Sequence, residues 1–250
     1  MRIAVAGGTG LVGRHVVREL ATAGHEPVVL SRSRGVDLVT GSGLDAALAG
    51  ADAVVDVSNV TTVGAKKSVS FFGSAGRNLL DAGARAGVRH HVALSIVGVD
   101  RVGLGYYRGK LRQEELLAAG PTPWTVLRAT QFHEFVGQTV DQVPGPLAVV
   151  PRTRTRPIAA REVARHLVEL VVAPPRGRAP ELAGPREEQL VDLARDLLRA
   201  RGSRRLLVPL TLPGAAGRAM RGDGLLPLES GPRGDQTFDA WLAENVVRGA

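Results

Sequence analysis

The sequence contains no cysteine, which excludes disulfide bonds and any reaction that needs a thiolate nucleophile. Aromatic residues make up only 4% of the chain, too few for the base-stacking platforms of proteins that bind single-stranded nucleic acid. No apolar run approaches the roughly 20 residues that a membrane-spanning helix needs. An apolar strand pattern begins at Ile3, so we expect no signal peptide and no membrane partner. Together these features predict a cytoplasmic protein.

Acidic residues are also fewer than basic ones, and the formal net charge is +8 at pH 7. A basic balance can indicate a nucleic-acid partner. Here the arginines are scattered, with short clusters only at Arg152, Arg154 and Arg156 and at Arg204 and Arg205. No helix-turn-helix, zinc or RNA-binding signature accompanies them, and no group of His, Asp and Glu has the spacing of metal ligands. We therefore expect neither a nucleic-acid partner nor a metal, and interpret the arginines as solvated surface.

What the sequence does contain is a glycine-rich segment directly after an apolar run. Ile3–Ala6 predicts a buried strand, and a helix is predicted to begin at Leu11. Gly7, Gly10 and Gly13 are spaced three residues apart, which permits a tight turn, close approach of the backbone to a pyrophosphate, and close helix–strand packing. The free N–H groups at the helix N-terminus favour phosphate. The predicted phosphate-binding residues are Gly7, Thr9, Gly10, Leu11, Val12 and Gly13.

The first half of the chain alternates predicted strands with predicted helices. The strands are Ile3–Ala6, Val28–Leu30, Asp37–Thr40, Ala53–Val57, Val92–Ile96 and Thr125–Leu127. The helices are 11–23, 44–49, 67–87 and 108–119, followed by 132–140, 160–172, 187–201 and 236–246, with extended pieces at 147–150, 179–183 and 206–210. Strand–helix alternation predicts an α/β fold, a Rossmann-type doubly wound parallel sheet covered on both faces. We expect residues 1–130 to form its dinucleotide-binding core and residues 131–250 to form a small substrate-capping region packed on the same sheet.

The residues after the predicted strand Val28–Leu30 indicate which dinucleotide binds. NAD-binding sheets place an Asp or Glu there to hold the ribose 2′-hydroxyl, whereas this chain has Ser31, Arg32 and Ser33, followed by Arg34. A guanidinium pairs with a 2′-phosphate, so the sequence favours NADP(H) over NAD. Ser58 and Asn59, after the strand that contains Asp56, are further candidate contacts to the cofactor, although Asn59 is equally typical of a turn.

A candidate catalytic group follows the predicted strand that contains Ser95. Tyr106 and Lys110 are four residues apart and share one face of a helix. A nearby ammonium lowers the pKa of a tyrosine, which suits Tyr106 as the general acid, and Ser95 is placed to hold a substrate carbonyl oxygen. Tyr107 competes for the acid role, and a solvated Tyr–Lys pair is the alternative interpretation.

Gln131 and His133 are candidate substrate contacts because they follow the predicted strand Thr125–Leu127. A histidine that opens a helix is more often structural, and this alternative stays open. We expect Trp124, Phe132 and Phe135 in the core, and an apolar substrate surface in the segment Leu206–Leu228.

Taken together, these residues resemble the short-chain dehydrogenase/reductase superfamily, and its atypical NmrA-like NAD(P)H-binding branch in particular. Gly7–Gly13 is similar to the GxxGxxG motif, Tyr106–Lys110 to the YxxxK motif, and Ser95 to the serine that ends the preceding strand. Leu127–His133 is similar to the loop that faces the substrate in this branch. The resemblance implies that Lys110 also holds the nicotinamide ribose.

The sequence therefore predicts an NADP(H)-dependent oxidoreductase that reduces a carbonyl or oxidises an alcohol on a small organic substrate. The resemblance leaves two alternatives: a non-catalytic NADP(H)-sensing regulator, because the NmrA-like branch includes such proteins, and an isomerase or epimerase that recycles its cofactor. The substrate, the direction of reaction and the oligomeric state are left open.

Overall fold

In the computed structural model, which describes residues 1–246, six parallel strands form one sheet in the order β2-β1-β3-β4-β5-β8. The strands are β1 (Arg2–Ala6), β2 (Glu26–Leu30), β3 (Ala53–Asp56), β4 (His90–Ile96), β5 (Trp124–Ala129), β6 (Leu147–Pro151), β7 (Arg154–Thr155), β8 (Gly177–Arg178), β9 (Glu188–Gln189) and β10 (Leu206–Leu210). The helices are α1 (Leu11–Thr22), α2 (Leu44–Leu48), α3 (Ala65–Arg85), α4 (Gly105–Ala119), α5 (His133–Val140), α6 (Ala160–Val172), α7 (Leu190–Ala200), α8 (Gly214–Arg221) and α9 (Phe238–Asn245).

Both faces of the sheet are covered, which explains why its strands read as nearly continuous apolar runs. One face packs its buried side chains, such as Val5, Val55 and Leu94, against α1 and α6. The opposite face, with Ala4 and Val54, packs against α2 and α3, and Ala93 and Val126 pack against α3 and α4. The doubly wound α/β fold predicted from the sequence is confirmed.

The order of the strands creates a crevice at one point of the sheet. β1 pairs with β2 on one side and with β3 on the other, so that Val5 lies opposite Val29 and Val55. The connections on the two sides run in opposite directions from β1, and such a switch point leaves a crevice at the carboxyl ends of the strands. The glycine-rich segment after β1 lies at this crevice.

One predicted strand is absent. Asp37–Thr40 forms a turn, because the Asp37 carboxylate accepts hydrogen bonds from the backbone N–H groups of Val39 (2.7 Å) and Thr40 (3.2 Å). An aspartate that bonds to its own following backbone favours a turn over a strand. The sixth strand of the sheet is β8 instead, and the sequence pattern also missed α8.

The residues after 130 are divided between the main sheet and smaller ladders. β8 pairs with β5, and α6 packs on the sheet beside α1. β6 pairs with β10 and β7 with β9 in two-stranded ladders. The division at residue 130 stays a prediction, and residues 247–250 of the predicted capping region lie outside the described residues.

None of the helices within residues 1–246 combines the length and the hydropathy that crossing a membrane requires. Within the same range, no three His, Asp or Glu side chains are grouped as metal ligands would be.

Candidate functional site

The glycine-rich turn after β1 is closed by short backbone contacts. Gly7 has a φ of 78° and its carbonyl accepts the N–H of Gly10 at 2.9 Å. A Cβ on Gly7 would lie 2.7 Å from the Val57 carbonyl oxygen, and one on Gly13 would lie 2.1 Å from the Gly7 carbonyl oxygen. Side chains at these two positions would therefore force apart the turn, α1 and the segment after β3.

The N-terminus of α1 offers unpaired donors at the mouth of this turn. The first intrahelical bond runs from the Arg14 N–H to the Gly10 carbonyl, so the N–H groups of Leu11, Val12 and Gly13 have no partner within the helix. No side chain caps the helix, and its first turn contains no acidic residue. Thr9 and Gly10 are exposed beside it. These features fit a bound phosphate or pyrophosphate.

Two free guanidinium groups follow β2. Ser31 precedes a single 3₁₀ turn, Arg32–Arg34, and its hydroxyl lies 3.0 Å from the Ser33 hydroxyl. Arg32 and Arg34 are exposed, and neither pairs with a carboxylate within residues 1–246. This end of the crevice therefore has positive charge and two hydroxyls where NAD-binding sheets have a carboxylate.

Beyond β3, Ser58 and Asn59 differ in their surroundings. Ser58 is buried, and its N–H is bonded to the Asp56 carboxylate at 2.9 Å. Asn59 is exposed, and its side-chain oxygen accepts the Tyr106 hydroxyl at 2.6 Å. The structure thus joins a predicted cofactor contact to the predicted catalytic tyrosine, which the sequence did not predict.

Tyr106 lies in the first turn of α4 and is held on several sides. Its ring packs edge-on against Phe72 and Tyr107, and its carbonyl accepts the Ser68 hydroxyl at 2.7 Å. Burial raises the pKa of Tyr106 well above its ordinary value of 10.0, with a smaller contribution from Tyr107. The hydroxyl is therefore protonated at neutral pH and can donate a proton.

The Lys110 ammonium points into the protein rather than toward the Tyr106 hydroxyl. It donates to the Leu94 carbonyl and to the Gln113 side-chain oxygen, both at 2.5 Å, and lies 4.8 Å from the centre of the Phe72 ring. Burial lowers the pKa of Lys110 to about 8, against the opposing attraction of Asp56 and Glu114. The predicted lowering of the Tyr106 pKa by Lys110 is therefore not a feature of this structure, because the ammonium is bonded elsewhere.

Ser95 belongs to a second buried polar chain. Its hydroxyl donates to Glu114 at 2.5 Å, and Glu114 accepts two hydrogen bonds from Arg128 at 3.0 and 2.8 Å. Arg128 also pairs with Asp100 at 2.8 Å. Glu114 and Arg128 are not among the site residues predicted from the sequence. Two signals pointed to them: Glu114 is four residues after Lys110 on one helix face, and Arg128 is a charged residue in an otherwise apolar strand.

Gln131 lies close to the other tyrosine. Its side-chain oxygen accepts the Thr155 hydroxyl at 2.7 Å, and its buried amide nitrogen has no partner among the described residues. Burial raises the pKa of Tyr107 to about 12, although an interaction with the Gln131 side chain opposes the shift. The Gln131 amide therefore lies near the Tyr107 hydroxyl.

His133, in contrast, is enclosed by the C-terminal helix. It is fully buried against Phe238 and Trp241, and its Nε2 lies 3.0 Å from the Gln236 carbonyl. Burial lowers its pKa, so that the ring is neutral at pH 7. This environment favours the structural alternative for His133.

The predictions for the remaining apolar residues have different outcomes. Trp124 and Phe132 are partly buried against core side chains. Phe135, expected in the core, is 38% exposed because it lies on the outer side of α5. In the predicted apolar segment, Leu206 and Leu228 are exposed to solvent, and whether they meet a substrate stays a prediction.

Comparison with known proteins supports a nicotinamide cofactor for this fold. A family model described as NAD(P)H-binding matches residues 7–174. The (4-alkanoyl-5-oxo-2,5-dihydrofuran-3-yl)methyl phosphate reductase of Streptomyces griseus is 32% identical over 157 residues, 57% of this chain and 51% of that protein. The divinyl chlorophyllide a 8-vinyl-reductase of Oryza sativa is 32% identical over 172 residues, 56% of this chain and 42% of that protein. The chain spans about half the length of these curated relatives.

Solved structures share the fold at low identity. The NADPH-dependent quinone oxidoreductase QOR2 of Escherichia coli superposes with a TM-score of 0.66 at 18% identity, over 97% of this chain and 98% of that one. The UDP-N-acetylglucosamine 4-epimerase of Bacillus cereus gives a TM-score of 0.72 at 19% identity, over 100% and 97%. The chain belongs to the NAD(P)H-binding family, in agreement with the NmrA-like short-chain dehydrogenase/reductase resemblance of its motifs.

Proposed function

We propose that the protein is an NADP(H)-dependent oxidoreductase that reduces a carbonyl, or oxidises an alcohol, on a small organic substrate. The observation that carries the proposal is the crevice at β1, where an uncapped helix N-terminus and two free arginines face the carboxyl ends of the strands. Both curated relatives described above are named as reductases, which supports hydride chemistry for this chain.

The choice of NADP(H) depends on the end of β2. A 2′-phosphate needs donors and positive charge, which Arg32, Arg34 and the Ser31 and Ser33 hydroxyls supply. A free 2′-hydroxyl needs an acceptor, and the buried Asp56 is the strand-end carboxylate on the other side of β1. Its two oxygens accept the Ser58 N–H and the Gln113 side-chain amide, so it is already committed.

Tyr106 is the proton donor in this proposal. When bound, the nicotinamide supplies the hydride that reduces the substrate carbon. Tyr106 then gives its hydroxyl proton to the substrate oxygen, and for this step its O–H must turn away from the Asn59 oxygen that accepts it in the structure. Burial keeps Tyr106 protonated, the state that a proton donor in the reduction requires. Gln131, beside Tyr107, is the proposed substrate contact.

Ser95 and Lys110 remain proposed site residues, as polar groups near the carboxyl ends of the same strands. For Ser95 to hold a substrate oxygen, its hydroxyl must leave Glu114. For Lys110 to reach a ribose, its ammonium must leave the Leu94 carbonyl. A function without turnover, NADP(H) sensing, is the second candidate, and the commitment of both groups inside the protein is the observation that favours it.

The cofactor preference is tested by titrating NADPH and NADH separately into the full chain. We expect NADPH to bind at least about tenfold more tightly, since a charge-assisted contact to the 2′-phosphate is worth on the order of 1.4 kcal/mol or more. Arg32→Glu should weaken NADPH selectively. Arg165→Glu, the same change at an exposed position of α6, is the matched control. Equal affinity for the two cofactors would contradict the preference.

Turnover is tested by following NADPH absorbance over a panel of aldehydes, ketones and quinones. Consumption with any of them supports the oxidoreductase. Tight NADPH binding without consumption across the panel favours the sensing protein instead.

A further inference from the structure

Arg156 stands out among the arginines of its own segment. Its neighbour Arg154 donates to Glu187 and Asp223 and is fully paired. Arg156 reaches only a backbone acceptor, the Pro185 carbonyl, through Nη2 at 3.2 Å. Its Nε is buried and has no partner among residues 1–246. A buried, unpaired donor of a charged group is costly and is rarely left without a partner.

A second arginine, Arg233, lies on a neighbouring segment: it bridges to Ala183, and the next residue, Gly184, donates its N–H to the Arg156 carbonyl. Arg233 also lacks a carboxylate partner in the described part of the chain. Burial and the positive charge of Arg156 both lower the pKa of Arg233. In the adjacent segments, one oxygen of Glu181 accepts the Leu228 N–H, and Oε1 of Glu162 accepts the Asp235 and Gln236 N–H groups. The other Glu162 oxygen is buried and has no partner among the described residues. Two arginines on neighbouring segments therefore lack a carboxylate partner within residues 1–246.

The backbone holds both arginines at the carboxyl end of β5. The Arg156 carbonyl accepts the Thr130 hydroxyl at 2.5 Å and the Gly184 N–H at 3.0 Å. The segment of Arg233 bridges to Ala183, and the Gly234 N–H donates to the Ala183 carbonyl at 2.8 Å. A Cβ on Gly184 would lie 1.7 Å from the Pro157 carbonyl oxygen, so these segments are tightly packed. The arginine pair is thus fixed at the edge of the sheet where ligands of such folds bind.

This pair is distinct from Arg32 and Arg34. Those arginines follow β2, at one end of the strand order, whereas Arg156 and Arg233 lie beyond β5, toward β8 at the other end. Five strand steps separate β2 from β8, which amounts to about 24 Å at roughly 4.8 Å per step. The 2′-phosphate and the ligand of the second pair therefore lie at opposite ends of the crevice, with the proposed reacting groups of β4 and α4 between them.

We propose that Arg156 and Arg233 bind an anionic group of the substrate, a phosphate or a carboxylate, that lies away from the reacting carbon. An anion between the two guanidinium groups removes their mutual repulsion and satisfies the buried Nε. The substrate assignment rests on the proposed function, whereas the anion site itself does not. The substrate class is then a carbonyl compound with a phosphate or carboxylate tail.

The first experiment measures anion binding and does not need turnover. Inorganic phosphate and acetate are titrated separately, by calorimetry, into the full chain saturated with NADPH, which occupies the 2′-phosphate end. We expect one of the anions to bind, and Arg156→Gln and Arg233→Gln each to weaken it about tenfold, as loss of a charge-assisted hydrogen bond predicts. Arg152→Gln, the same change at an exposed arginine of the same segment, should stay within about twofold of the wild type by the same arithmetic.

Equal anion affinity in the wild type and all three variants, or no binding of either anion, would overturn the proposal. The NADPH affinity of each variant is measured first and should match the wild type. If Arg156→Gln fails to fold, Arg233→Gln decides alone, because the Arg233 side chain is exposed.

The second experiment compares matched substrates, glyceraldehyde 3-phosphate with glyceraldehyde and succinic semialdehyde with butanal. We expect the charged member to have the lower KM, and Arg233→Gln to raise that KM about tenfold while leaving kcat and the neutral member unchanged. An equal KM increase for both members would contradict anion recognition. Absence of turnover with all four counts against the proposed function, while the titration still decides the anion site.

Discussion

The phenolic hydroxyl of Tyr106 donates a 2.6 Å hydrogen bond to the side-chain oxygen of Asn59. The bond connects the first turn of α4 to the segment after β3, although the two residues are 47 positions apart in the chain. It directs the tyrosine hydroxyl to the edge of the sheet where the cofactor crevice lies. The proposed proton donor is therefore oriented by a residue that follows β3 and is itself a proposed cofactor contact.

Replacing Tyr106 by Phe tests the donor directly. We expect turnover to fall by about 10²-fold or more, the usual contribution of a general acid. Phenylalanine has no hydroxyl, so the proton donor of the proposed reaction is lost. NADPH affinity should be unchanged, since the ring and its packing on Phe72 remain. Stopped-flow measurement of NADPH oxidation and a fluorescence titration provide the two readouts.

Tyr107→Phe is the matched control for that experiment. Tyr107 is buried in a neighbouring apolar cluster, so loss of its hydroxyl should leave turnover within a few-fold. Undiminished turnover in Tyr106→Phe together with a large loss in Tyr107→Phe would move the acid role to Tyr107, the competitor that the sequence left open.

The sheet and its crevice could be predicted from the sequence because their signals are local. Buried parallel strands read as short apolar runs, and Gly7 and Gly13 occupy positions that only glycine fits. The turn at Asp37 was missed because one carboxylate bonded to its own backbone decides it. The apolar pattern there resembles that of a strand, and pattern alone does not register the competing hydrogen bonds.

The site could be predicted less completely from the sequence, because its contacts join segments that are distant in the chain. Helical spacing correctly places Tyr106 and Lys110 four residues apart on α4. Spacing does not show that the Leu94 carbonyl, on the strand beneath, is within reach of the Lys110 ammonium. The long Lys110 side chain can bond to any acceptor within its reach. The acceptor that the tertiary structure provides is the Leu94 carbonyl of β4.

The buried pair of Glu114 and Arg128 should contribute to stability. Glu114 is almost completely buried and accepts two hydrogen bonds from Arg128. Removing one partner of a buried ion pair leaves an uncompensated charge and costs about 3–5 kcal/mol. We expect Glu114→Gln to lower the free energy of unfolding by that order, measured by urea denaturation.

The neighbouring residue on α4 supplies the control. Glu115 pairs with Arg112 at 3.0 Å on the exposed face of the helix, where such pairs contribute about 0–1 kcal/mol. Glu115→Gln should therefore change stability little. Similar losses in the free energy of unfolding in the two variants would contradict the expectation that the buried Glu114–Arg128 pair contributes more than an exposed pair.

Lys110 should make stability depend on pH. Its pKa in the folded chain is about 8, below its ordinary value of 10.5. Between these values the unfolded chain binds the proton and the folded chain does not, so stability rises with pH. Relative to Lys110→Met, we expect the wild type to gain about 1–3 kcal/mol between pH 8 and pH 10.

The measurement is urea unfolding of both proteins at several pH values, because effects of other titrating groups cancel in the difference. Lys66→Met, at an exposed lysine of α3, controls for the loss of one positive charge. A difference that is constant from pH 8 to pH 10, or that falls, would contradict a buried ammonium with a lowered pKa.

The close packing of the glycine turn is tested by two alanine substitutions in the same segment. In Gly13→Ala the new Cβ would lie 2.1 Å from the Gly7 carbonyl oxygen and 2.7 Å from the Gly8 Cα, both backbone atoms. In Gly10→Ala it would meet only the Gly7 carbonyl oxygen, at 3.2 Å, and the position is exposed. We expect Gly13→Ala to lose about 1–3 kcal/mol of stability, as overpacking does, and Gly10→Ala to stay near the wild type.

The NADPH affinity of Gly13→Ala then distinguishes a turn that is only less stable from a displaced α1. The phosphate site proposed here depends on where α1 begins, and Gly13→Ala pushes α1 away from β1. At a temperature where the variant is still folded, its NADPH affinity should fall by about tenfold or more, because the helix N–H groups no longer meet the phosphates in line. A destabilised Gly13→Ala that binds NADPH with wild-type affinity would place the phosphates elsewhere than at the N-terminus of α1.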